Sequence, residues 1–150
     1  MHRRALCLTV LIAATAAFAA CDESLSTIAG PTPNLEPTFS SIQAEIFEST
    51  DVGGRVACTG CHTSTGRAPA GGLNLNHDVA YASLVSVPAR QKPGAIRVIP
   101  SDPENSFIVQ KVEGRPGIVG LRMPFSGPPF LTDGQILILR RWIEIGAPNN

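Results

Sequence analysis

Nothing in this chain constrains its fold more than the pentapeptide Cys58-Thr59-Gly60-Cys61-His62. Two thiols separated by two residues can reach one edge of a single flat partner, and a histidine directly after the second thiol is carried beneath it. Thr59 and Gly60 are small enough to keep that approach open. By composition alone such a pentapeptide arises in roughly one chain of this length in a thousand. A fold that keeps it has to be arranged around whatever the sulfurs and the imidazole hold.

The spacing is that of c-type haem attachment, in which two thiols add across the haem vinyl groups and the adjacent histidine binds iron. Three other uses of the same residues compete. A redox dithiol favours a strand-to-helix junction in a βαβ setting, for which the chain shows no pattern. Zinc needs four nitrogen or sulfur ligands, and beyond the leader and tether the chain offers only Cys58, Cys61, His62 and His77. A structural disulfide between Cys58 and Cys61 leaves His62 without a role. One covalent haem c with its iron uses all three side chains.

The remaining iron position follows from an inventory. Outside the leader the domain holds one methionine, Met123, and two histidines, His62 and His77. The sixth ligand is therefore Met123, His77, or none. Met123 stands before Pro124 in an apolar Pro/Gly loop with little helical face to fill, which makes it the candidate. His77 reads as a helix-start residue near the surface. Arg122, Lys111 and Arg115 could pair with haem propionates or steer docking, but read first as ordinary solvated surface.

Charge excludes one large class of partners. Lys plus Arg and Asp plus Glu number 12 each; removing Arg3 and Arg4 with a leader leaves 10 against 12, mildly acidic. Nucleic-acid binding calls for a basic stripe, so none is expected. Six Phe, one Tyr and one Trp stand against 27 residues of Gly and Pro together, 14 and 13. A core made from protein alone would be thin, and a large apolar cofactor would fill it.

Residues 1–20 read as an export signal: basic His2, Arg3 and Arg4, an apolar run from Ala5 to Ala17, then small residues. Phe18-Ala19-Ala20 before Cys21 has the form of a lipobox, so Cys21 is the expected lipidation site, with cleavage after Ala19 as the alternative. Residues 21–37, rich in Ser, Thr and Pro, form a tether to that anchor. The expected location is periplasmic or cell-envelope, as a membrane-anchored lipoprotein.

Residues 38–150 form one all-α domain of about four short helices with long loops. Ser40 is predicted to cap the first, with Gln43 closing a capping box and Ile42, Ile46 and Phe47 on its apolar face, ending near Ser49. Asn76 caps a short second helix to about Val85. Asp102 and Pro103 open a third that runs to Gly114. Thr132 and Gln135 box the fourth, whose stripe is Ile136, Leu139, Trp142 and Ile143, stopped by Gly146 and Pro148.

With these pieces in place, the chain from Phe39 to Ala147 resembles the small monohaem class I-type cytochrome c domains of exported bacterial proteins. The resemblance rests on the haem motif, Gly71-Gly72-Leu73, Ile99-Pro100-Ser101-Asp102-Pro103 with Ser106, Arg122-Met123-Pro124, and Trp142-Ile143-Glu144-Ile145-Gly146-Ala147. It departs at Phe125, where a second proline is common, and in a longer, Gly-rich approach to Cys58. The resemblance implies a cytochrome c-like fold wrapped around the haem, thioethers at Cys58 and Cys61, His62 as proximal and Met123 as distal ligand. It also implies that the first and last helices cross beside the ring. The implied function is a single-electron carrier serving redox proteins, not an enzyme. The alternative is a haem-binding sensor or peroxidase-like enzyme with an open sixth position.

Overall fold

The structure is a computed structural model that describes residues 35–50 and 53–150. The leader, the Cys21 lipidation site and most of the tether lie outside those residues. Among the described residues the fold is all-α, with four short α-helices and no strand: α1 Phe39–Ile42, α2 Ala80–Leu84, α3 Phe107–Glu113 and α4 Asp133–Glu144. Only isolated bridges, such as Val85 to Val98 and Pro88 to Ile96, tie extended segments together. No described helix is long and apolar enough to cross a membrane.

Helix α4 forms as its sequence predicts. Thr132 Oγ1 accepts the Gln135 amide at 3.2 Å, and Gln135 Oε1 accepts the Thr132 amide at 3.0 Å, so two donors at the helix start are satisfied reciprocally. The stripe Ile136, Leu139, Trp142 and Ile143 is buried.

The first helix begins two residues earlier than predicted. Thr38, not Ser40, is the cap: its hydroxyl accepts the Ser41 amide at 3.2 Å. After one turn the backbone widens into a π-helical turn, Gln43–Phe47, in which the Glu48 amide reaches back to the Gln43 carbonyl at 3.0 Å. Gln43 is therefore inside the helix and buried, and its Nε2 donates to Glu48 Oε1 at 2.7 Å and to the Leu75 carbonyl at 2.8 Å. The widened turn keeps Ile42, Ile46 and Phe47 all inward. Beyond it, buried Arg55 donates to the carbonyls of Ile46 and Ser49, at 3.3 and 3.4 Å, where a helix end leaves acceptors open.

Helices α2 and α3 are shorter than predicted because their polar starters form turns instead. The Asn76 carbonyl accepts the Val79 and Ala80 amides, while its side chain donates to Ser64 and Thr65, so α2 starts only at Ala80. Asp102 accepts the Asn105 amide at 3.0 Å in a local turn, and α3 starts at Phe107. Its predicted stop holds: Gly114 caps α3 at φ 70°, a left-handed conformation that glycine adopts without penalty.

Helices α1 and α4 pack together through aromatic contacts. Phe39 lies 5.5 Å from Trp142 and edge-on to Tyr81 at 5.2 Å. Both polar handles are satisfied, Tyr81 by the Ala147 carbonyl and Trp142 by that of Pro148, each at 2.9 Å. This cluster closes one side of the domain and leaves the rest of the apolar interior around a cavity.

Candidate functional site

The cavity holds about 500 Å³, within the range of small-molecule and cofactor sites, about 300–1,000 Å³. Cys58, Cys61 and His62 line it, and so does Met123, from a segment two helices further along the chain. Apolar walls come from every layer of the fold, among them Phe47, Leu84, Phe107 and Leu139.

The motif enters on a tight turn. Cys58–Gly60 is a 3₁₀ turn in which the Cys58 carbonyl accepts the amides of Cys61 at 3.2 Å and His62 at 2.9 Å. A Cβ at position 60 would lie 3.2 Å from the Val56 side chain, a tight contact that Gly60 avoids. No disulfide joins the two cysteines; Cys58 is partly buried and Cys61 exposed. Cys58 Sγ lies 3.6 Å from the Ile46 carbonyl that Arg55 also binds. Burial pushes the Cys58 thiol above its ordinary pKa, against the opposing pull of the Arg55 charge.

His62 is fixed from two directions. Its carbonyl accepts the Leu75 amide at 2.8 Å, and its Nδ1 lies 2.9 Å from the Ala70 carbonyl. A proton on Nδ1 donating to that carbonyl leaves the lone pair on Nε2, the arrangement a metal-binding imidazole needs. Burial holds the imidazole below its ordinary pKa, outweighing the carbonyls of Ala70 and Leu73, which favour the charged form. The ring is thus kept neutral at neutral pH.

Met123 is held by its neighbours on α3. Its amide donates to the Lys111 carbonyl at 2.9 Å, and the Arg122 Nε donates to the Val112 carbonyl at 2.8 Å, with the guanidinium 4.1 Å above the Phe130 ring. Lys111, expected on the solvated surface, is 6% exposed. Its ammonium donates to the Val119 carbonyl at 3.0 Å and to the Leu121 carbonyl, tying down the loop before Met123. Arg115 pairs instead with Glu104 and Glu113, away from the cavity. His77 does not line the cavity; it is exposed, with Nδ1 3.3 Å from Glu48 Oε1.

The sequence reading missed the other cations of the site. Arg97 is 6% exposed, lines the cavity, and donates to the Ser83 carbonyl at 2.6 Å and the Gly72 carbonyl at 3.0 Å. Gly72, at φ 67°, leaves room for Arg90; a Cβ there would sit 2.5 Å from its Cδ. Arg90 and Arg67 line the cavity as exposed side chains, and among the described residues no Asp or Glu lines it. These arginines come from separate segments with no common period, so no local signal marks them.

Chemically, the described residues of the site offer two thiols, a neutral imidazole, a thioether, apolar walls and, as charged groups, cations. That set fits a large apolar group with a metal centre and acidic substituents, as a haem is. Among the described residues no three His, Cys, Asp or Glu side chains gather as a bare-metal site. No protein-family model, no curated protein and no solved structure matches the chain.

Proposed function

We propose that the protein is a single-electron carrier with a cytochrome c-like fold around one covalent haem, bonded through Cys58 and Cys61 and ligated by His62 and Met123. The observation that carries this reading is the convergence of Met123 with the Cys58-Thr59-Gly60-Cys61-His62 turn on one apolar cavity. When bound, the haem iron would supply a reversible one-electron couple.

The chain's own residues do the rest. The Ala70 carbonyl orients His62 and fixes its tautomer. Lys111 and Arg122 hold the loop that presents Met123, so a thioether is positioned in advance of binding. If His62 and Met123 both ligated the iron, no position would be left for substrate, which favours electron transfer over turnover. The apolar walls exclude water and so limit reorganisation as charge changes. Arg97, Arg90 and Arg67, which line the same cavity, would offset the acidic substituents. The reading includes export and anchoring in the cell envelope by a lipid on Cys21.

The test is the visible spectrum of the reduced protein in alkaline pyridine after expression with cytochrome c maturation machinery. A two-thioether haem spectrum that Cys58→Ser and Cys61→Ser each alter supports the reading. Haem extractable into acidic solvent from the wild type refutes it.

A further inference from the structure

The Gly-rich approach to Cys58 is where this chain departs from the pattern it resembles, and the departure buries a charge. Gly53 and Gly54 precede Arg55, and Gly54 takes φ 83°, a left-handed conformation open to glycine. Between exposed Gly54 and exposed Val56, Arg55 is only 1% exposed. Arginine is almost never buried to that degree unless its donors are engaged. Here they reach the carbonyls of Ile46 and Ser49, at 3.3 and 3.4 Å.

Those bonds close the end of the π-helical turn, which is a structural use. The Ile46 carbonyl, however, is shared: it also accepts the Cys58 thiol at 3.6 Å, so guanidinium and sulfur stand around one oxygen. The next carbonyl, of Phe47, accepts the Thr59 hydroxyl at 3.4 Å, so the turn grips the attachment motif at two successive residues. Ile46, Phe47, Val56, Ala57 and Cys58 all line the cavity, and Arg55 stands behind them. Its charge is thus placed one layer back from the wall, against the sulfur and away from water.

We infer that Arg55 is a positioning residue of the electron-transfer centre: it holds the Cys58 arm and sets a positive charge behind the bound group, favouring its reduced state. The inference rests on the haem reading above. Oxidation adds one positive charge at the iron, and a cation held in a water-poor wall opposes that change. Burial also spares this charge the screening by salt that a surface cation undergoes. Its reach to the sulfur is visible in the thiol itself: burial raises the Cys58 pKa, and the Arg55 charge opposes the rise.

The full-length haem-loaded protein, its intact mass taken first, is titrated against redox mediators. Arg55→Gln keeps amide donors and removes the charge; Arg55→Lys keeps the charge and loses the guanidinium fork. Arg55→Gln is expected to shift the oxidised-to-reduced ratio at fixed solution potential about tenfold toward oxidised, about 59 mV for one electron. Arg55→Lys stays within about twofold of the wild type. Arg141→Gln, which removes an exposed charge on α4, also moves the ratio less than about twofold. The Arg55→Gln shift persists from about 0.01 to about 0.5 M salt. A purely structural Arg55 would lower Tm in both of its variants without separating their potentials. A second readout uses the wild type alone: coupling between the charge and the iron is reciprocal, so the Arg55 Nε–H exchanges with solvent faster in the oxidised protein than in the reduced one.

Equal potentials in the Gln and Lys variants, an Arg141→Gln shift as large as that of Arg55→Gln, or Nε–H exchange indifferent to oxidation state would each overturn the inference. Where neither Arg55 variant folds, the exchange measurement decides it. A mass equal to the bare polypeptide fails the haem reading and the inference together; covalent haem with equal potentials fails the inference alone.

Discussion

Replacing Lys111 with Met probes how the Met123 loop is held. The side chain keeps its length and apolar stem but loses the ammonium that binds the carbonyls of Val119 and Leu121. Hydrogen bonds to a charged group contribute about 1.5–3 kcal/mol each when buried. Val119 and Leu121 are themselves exposed, so water can replace the lost donor, and burial of Lys111 already disfavours its charged form. Both effects reduce the loss, to about 2 kcal/mol for the pair of bonds. In a domain of this size that lowers Tm by roughly 5–10 °C. Two assays on the haem-loaded protein read the change: thermal unfolding by circular dichroism, and the weak visible absorption of sulfur-ligated ferric iron. The loop is expected to release Met123 before the domain unfolds, so the sulfur signature should fade at lower temperature than the helical signal. Unchanged Tm together with an unchanged sulfur signature would refute the reasoning that Lys111 pins the loop.

Other perturbations give equally definite outcomes. Met123→Ala should let added imidazole bind the ferric protein at concentrations that leave the wild type unaltered; equal titrations would show that Met123 does not cover the iron. Thr132→Ala removes one arm of the α4 capping box and should cost about 1 kcal/mol in urea unfolding. Arg140 and Arg115 hold Glu104 below its ordinary pKa of 4.5. Its contribution is therefore complete above pH 4.5 and is lost as pH falls through the lower folded value. Glu104→Gln should accordingly flatten the acid limb of the stability curve and leave the slope above pH 6 unaltered.

Much of this architecture was legible because it is local. The α4 start and its buried stripe follow from Thr132, Gln135 and a 3.6-residue period, and Gly114 marks the end of α3. The first helix misled because Ser40 and Gln43 have the spacing of a capping box, while Thr38 also caps and a π turn absorbs Gln43. Asn76 and Asp102 misled in the same way, since residues that cap helices also close turns. The two thiols and the imidazole that line the cavity were visible as one pentapeptide, and Met123, which lines it too, was singled out among few candidate ligands. Arg67, Arg90 and Arg97 were not, because tertiary folding alone brings them to one cavity. Lys111 was misread because nothing in its neighbours announces that a lysine so close to Gly114 is buried.

The most direct test of the account is the intact mass of the exported protein under denaturing conditions, taken with its visible spectrum, after expression with cytochrome c maturation machinery. The account predicts the polypeptide plus one haem, with the colour persisting through denaturation and lost in the Cys58→Ser, Cys61→Ser double variant. A mass equal to the bare polypeptide, with haem absent or freely removed, would contradict it.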